Sequence, residues 1–254
     1  MTAQSVHALR IDIRRFLQTM DLIQQGKHRR VRNLLRGTLK LTGPIRDCDA
    51  IGEIAGELGL LDGLSGLDRK RVDAEAALDG FLHTHERELT LASTTPILIS
   101  LERGGTRIKK LIARFWTLGD QAAKPGASFE RLHRARLAAK GLRYALEACG
   151  GREDKAIAPL VKIQRILGRV NDLRTLLTAL KSCEAGRRSR RVVNREIDSQ
   201  AKAFSALWRG KHVRRRRRLS KAWLKLTAPG VPDYWIVMFA GLDGLPPAVT
   251  TPST

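Results

Sequence analysis

The chain is short of acids, aromatic rings, cysteines and long apolar runs. Among its 254 residues, 25 Asp and Glu face 47 Lys and Arg, which leaves a formal charge of +22 and a pI near 11.1. A chain this poor in acids repels itself when compact, so the deficit points to a polyanionic partner: nucleic acid, inorganic polyphosphate or an anionic membrane surface. Aromatic residues make up 5% of the chain, too few for a platform on which bases stack. The three cysteines, Cys48, Cys149 and Cys183, are odd in number and no pair has metal-ligand spacing. That excludes a disulfide framework or a zinc ribbon and fits a reduced, cytoplasmic protein. The longest uncharged apolar segment, around Tyr234 to Leu242, is too short to span a bilayer, and basic residues interrupt the apolar runs of residues 1–20 where a signal peptide would have none. A G-x-x-x-x-G-K-[ST] phosphate loop is also missing, as is a carboxylate cluster for metal-assisted phosphoryl chemistry. These absences make an enzyme the weaker expectation and imply no cofactor and no metal.

Hydrophobic residues form 43% of the chain, enough for a sizeable core. The most regular stretch is Leu132–Glu147. Leu132, Ala135, Ala139, Leu142 and Leu146 form one helical stripe, and His133, Arg136, Lys140 and Arg143 form a basic row one position ahead, about 100° around the axis. Val6, Leu9, Ile13, Phe16 and Met20 repeat the apolar stripe, and His7, Arg10 and Arg14 repeat the basic row, with His7 and His133 separated by 126 residues. One basic row alone is usually a solvated face. Two in register suggest an internal duplication that aims both rows at one site.

Helices are expected at 3–25 and 28–41, with a break at Gly43-Pro44, then at 45–58. Gly59–Gly66 reads as a loop. A long helix should cover 68–91, with Val72, Leu78, Leu82 and Leu89 inward, and another should run from Pro96 to about Leu118, bent at Gly104-Gly105. Lys124-Pro125-Gly126 links two halves. The second half repeats the order with helices at 129–149, 154–167 and 169–183, a break at Gly150-Gly151, and further helices at 187–208 and 212–226. Gly43-Pro44-Ile45-Arg46-Asp47 and Gly168-Arg169-Val170-Asn171-Asp172 read as equivalent corners, with Asp47 and Asp172 in the first turn of the following helix, where they cap it or hold an arginine. No run of alternating strands is evident. The expectation is an all-α helical bundle of two pseudo-symmetric halves, about 3–122 and 128–227, with a basic groove between them. Residues 228–254 form a tail that docks through Tyr234, Trp235 and Phe239.

The segments Val6–Arg15, Leu41–Asp49, Leu132–Glu147 and Leu160–Leu176 resemble, in order and spacing, the CHAD domain, the conserved histidine α-helical domain; the resemblance covers residues 3 to 226. It implies a domain over 1–227 that binds inorganic polyphosphate, is found with polyphosphate granules and has possible granule-protein partners. By position it assigns polyphosphate contacts to His7, Arg10, Arg14 and Arg15 on the first histidine helix and to Arg36, Lys40 and Arg46 around the first corner. It assigns them to His133, Arg136, Lys140, Arg143 and Tyr144 on the second histidine helix, and to Arg165 and Arg169 at the second corner. The chain departs from the family pattern at Phe16-Leu17, where the first-half counterpart of Arg143 is missing.

Polyphosphate carries about one charge per phosphate and no base, so its site needs cations at helical-turn spacing; arginine's fork suits phosphate oxygens. His7 and His133 read equally as phosphate donors and as histidines hydrogen-bonded at the edge of a helical seam. His83 and His85 read as part of a solvated surface. The runs Arg187–Arg191 and Arg214–Arg218 supply general polyanion attraction, since five consecutive arginines on a helix cannot share one face. Nonspecific nucleic-acid binding is the alternative function. It lacks a helix-turn-helix or RRM signature to support it.

Overall fold

The two apolar stripes close on one another. On α1 (Ala3–Ile23) the residues Val6, Leu9, Ile13, Phe16 and Met20 are all buried, as are Leu132, Ala135, Ala139, Leu142 and Leu146 on α6 (Phe129–Ala148). The computed structural model describes residues 2–23, 29–94, 97–148, 157–183, 186–210, 234–237 and 249–250. The remaining elements are α2 (Arg29–Glu57), a 3-10 turn (Leu61–Gly63), α3 (Leu67–Thr84), α4 (Glu86–Thr94), β1 (Ile97–Ser100), α5 (Leu101–Ala122), α7 (Ile157–Ser182), α8 (Arg187–Gly210), β2 (Tyr234–Val237) and β3 (Val249–Thr250). Helices α1, α2, α7 and α6 pack in a ring, each against its two neighbours. Helix α3 lies outside α2, α5 outside α6 and α8 outside α7. The fold is an all-α bundle with one small sheet.

Both expected corners are absent. α2 is a single 29-residue helix that passes through Pro44. Proline inside a helix costs about 3 kcal/mol, but Ile45, Cys48, Ile51, Ile54 and Ala55 continue the buried face begun by Leu34 and Leu35, and breaking the helix would expose one half of it. α7 likewise passes through Gly168-Arg169 because Ile163, Leu167, Val170, Leu173 and Leu177 form one unbroken buried face. Asp47 and Asp172 therefore stand mid-helix and cap nothing.

The expected long helix at 68–91 is instead divided at His85, which caps α3 with φ −114° and stacks on Phe81 at a centroid distance of 4.5 Å. Leu78 and Leu89 are buried, whereas Val72 is 61% exposed. Helix α5 starts after the strand Ile97–Ser100, a short β-branched run behind Pro96 that helical periodicity swallowed. This strand pairs antiparallel with β2, Ile97 opposite Val237 and Ser100 opposite Tyr234, and β2 pairs with β3. The tail thus docks by backbone pairing. Gly59 and Gly66 take positive φ in the expected loop, and Gly126 does so in the expected linker. The second arginine run, the expected helix at 212–226, Gly150-Gly151 and Phe239 lie outside the described residues.

The far end of the core is aromatic. Phe115, Trp116, Phe204 and Trp208 cluster around Trp208, whose Nε1 donates to Asp120 Oδ1 at 2.8 Å. Gly119 lets that ring lie on α5: a Cβ there would sit 2.0 Å from Trp208 Cη2. Gly119→Ala should lower stability by about 1–3 kcal/mol through overpacking. Gly168→Ala, with nothing within 4 Å of its Cβ, should raise it by about 0.5–1 kcal/mol. Denaturant titration of the two variants reads both signs.

Candidate functional site

Cations from three helices converge on one side of the ring. α1 supplies His7, Arg10 and Arg14, α2 supplies Arg46, and α6 supplies Arg136 and Lys140; Asp47 on α2 and Asp172 on α7 are the acids acting on them. Each basic row flanks a buried stripe, so packing the stripes of α1 and α6 carries the rows toward one another. The apolar contacts beneath oppose the resulting repulsion.

Arg10 is the anchor. It is 9% exposed, and its Nη1 donates to the Leu39 carbonyl at 3.0 Å and to Thr42 Oγ1 at 2.8 Å. That ties α1 to the turn of α2 just ahead of Pro44. The Arg10 Nε is buried with no hydrogen-bond acceptor. Burial pushes Arg10 down to about 10, with Arg14 adding to the effect. Arg14 and Arg136 are partly buried and their pKa values are lowered by burial. Among the described residues neither Arg14, Arg136 nor Lys140 has a side-chain hydrogen bond or an ion pair. Burial, then the charges of Arg136, Arg14 and Arg10, bring Lys140 down to about 6, against the opposing pull of Asp172. His7 reaches solvent, yet loss of surrounding water and the charges of Arg46 and Lys140 lower its pKa as well. The Asp47 carboxyl is pushed up, first by loss of water and also by Asp172, although Arg10 works the other way.

Three of the other assigned arginines, Arg15, Arg143 and Arg169, are committed elsewhere. Arg15 Nε donates to Glu147 Oε2 at 2.8 Å, and Arg143 Nε donates to Glu147 Oε1 at 2.5 Å. Glu147 is 5% exposed and held between the two. Burial opposes the charge on Arg15, but the Glu147 hydrogen bond and charge outweigh it and raise its pKa. Arg143 also donates to Gln164 Oε1, and Arg169 pairs with Glu57. Arg46 has a distant carboxylate, Glu53, at 3.9 Å. Arg36, Lys40 and Arg165 are exposed. Tyr144 is buried beside Arg143, whose guanidinium carbon lies 5.9 Å from the ring centre. Sequence reading named these cations together; it missed Glu147, whose only signal was an acid one turn after Arg143.

The two histidines differ. His133 Nδ1 lies 3.2 Å from Asn171 Oδ1 and its ring faces Phe129, away from the cluster. It lines a groove of about 850 Å³ between α2, α3, α6 and α7, whose floor includes Pro44, Cys48, Ile51 and Leu67. There Lys70 and Arg174 face the three acids Asp47, Asp73 and Glu130, so the groove has no net appetite for a polyanion. Among the described residues no three His, Cys, Asp or Glu side chains gather as a metal site, and no helix is long and apolar enough to cross a membrane.

Two outcomes test this division. Glu147→Gln leaves two guanidiniums without their carboxylate and should lower stability by on the order of 3 kcal/mol, read by denaturant titration. Lys140 bears on pH dependence. Its folded value of about 6 lies below the ordinary 10.5, so between those values the unfolded chain holds a proton that the folded chain lacks. Its penalty is greatest below pH about 6 and fades as pH rises. Lys140→Met should therefore flatten the rise in thermal midpoint between pH 6 and 9, by an amount read from midpoints in matched buffers.

No curated protein and no solved structure matches the chain. Residues 2–181 match the sequence model of the CHAD domain, a span that holds α1 through all but the last residue of α7 and every cation of the cluster. With well over half its length inside that match, the chain belongs to the CHAD domain family.

Proposed function

We propose that this protein is a non-enzymatic binding module for inorganic polyphosphate, acting in the cytoplasm at polyphosphate granules. One observation carries the reading: Arg10, Arg14, Arg136 and Lys140 gather on α1 and α6 with no acid paired to them, and the buried Arg10 Nε has no acceptor. Arg15, Arg71, Arg143 and Arg169, also partly buried, each hold a carboxylate; cations left without one where two helices meet stand where an outside anion completes them. The cluster offers forks for phosphate oxygens and no ring for a base, which favours a polymer of bare phosphates over nucleic acid. The family's association with polyphosphate supports the same reading. Arg46 and His7 border the cluster, and the exposed Arg36, Lys40 and Arg165 extend its positive field along α2 and α7. Arg15, Arg143 and Arg169 serve the fold through Glu147 and Glu57.

Competition binding tests this. Labelled long-chain polyphosphate, bound at near-physiological salt, is challenged with double-stranded DNA, single-stranded RNA and short polyphosphate at equal phosphate concentration. Long polyphosphate should win, and Arg136→Ala with Lys140→Ala should remove its advantage and reduce the logarithmic salt slope by about 1–2. Equal competition by DNA or RNA, with the double variant like the wild type, would assign binding to the surface arginines and sink the proposal.

A further inference from the structure

We propose that loading this cluster with a polyanion is coupled to proton uptake, with Lys140 as the principal acceptor, so that acidification tightens binding. The inference rests on the reading of the cluster as a polyanion site. Its basis is the geometry. Lys140 stands one turn after Arg136 on α6, and Arg10 and Arg14 act on it from α1. Arg46 on α2 and His7 on α1 complete the ring of positive groups; Asp172 on α7 is the acid acting on Lys140, and Asp47 on α2 acts on Arg10 and Arg136. Arginines keep their protons throughout the neutral range. In the unliganded cluster the repulsion is therefore relieved by the one amine able to give its proton up.

The lowering of Lys140 to about 6 agrees with that: at neutral pH it is largely the free amine. A phosphate chain laid across Arg10, Arg14 and Arg136 reverses the local field, returns Lys140 to its ammonium form and gains another donor. No bond is made or broken; a proton moves from water to Nζ. The bound form holds a proton that the free form lacks, so affinity rises as pH falls, from the bound-state value of Lys140 down to about 6. Two other groups can take up protons as an anion arrives: His7, which starts below its ordinary 6.5, and Asp47, which starts above its ordinary 3.8. Replacing Lys140 alone separates its share from theirs.

Calorimetry in buffers of different ionisation enthalpy measures the coupling directly, with long-chain polyphosphate as the probe because its interior phosphates do not titrate near neutrality. Wild-type protein should take up about one proton per bound segment at pH 7.5, and its affinity should fall by up to about tenfold per pH unit from 7 to 8.5. Lys140→Arg, charged at every pH, should bind more tightly than wild type at pH 8.5 and take up no proton. Lys202→Arg, exposed on α8, should keep the wild-type slope. Binding without proton uptake, or equal uptake by Lys140→Arg, overturns the coupling while leaving the site intact. No binding of labelled polyphosphate in the competition assay overturns the polyphosphate reading, and the coupling falls with it. Amine labelling of the free protein is the independent check: Lys140 should react with a midpoint near 6, and reaction only above pH 9 would overturn the proposal.

Discussion

Like charges on facing helices repel, and in this bundle the repulsion is held in place by the apolar packing immediately beneath it. The stripe of α1 from Val6 to Met20 and that of α6 from Leu132 to Leu146 are buried almost completely. Each buried aliphatic side chain contributes roughly 1.5–3 kcal/mol, which together far exceeds the mutual repulsion of a few partly screened cations. The positions of Arg10, Arg14, Arg136 and Lys140 follow from that surplus. They stand close because the residues one position earlier on the same helices must pack. A cation cluster of this kind needs no loop to assemble it; it is a property of where two amphipathic helices meet.

The arginines of this chain fall into two populations, and the difference lies in their acids. Arg15 and Arg143 share Glu147, Arg71 holds Asp49 and Glu75, Arg32 holds Asp21, and Arg169 holds Glu57. With 25 acids for 47 bases the chain cannot pair all of its cations, and the acids are spent where elements must be tied together. Among the cations left over, Arg10, Arg14, Arg136 and Lys140 gather on α1 and α6. His133 belongs with the first population, through Asn171, and His7 with the second.

Much of this was legible in the sequence. Both apolar stripes and the basic rows beside them follow from periodicity, because burial enforces that period. The corners did not follow. Pro44 and Gly168 carry strong local signals for a break, and both are overridden by apolar faces that run straight past them, a tertiary effect that local preference cannot see. The strand Ile97–Ser100 was lost for the converse reason: four residues are too few for an alternation, and its partner lies far along the chain. Within the site, spacing located the cations, but it could not tell Arg14 from Arg15. One faces the cluster and the other faces Glu147, and only the packed neighbour decides that.

The pairing of Ser100 with Tyr234 also orders events in time. It closes a loop that contains α5, α6, α7 and α8, so as the polypeptide leaves the ribosome α1 through α8 are made before β2 exists. Until then Ile97–Ser100 presents an open backbone edge lined with β-formers, the kind of surface on which nascent chains associate. The strand that covers it is made only after α5, α6, α7 and α8. β2 thus covers one edge of a strand that would otherwise offer that backbone edge to a second copy.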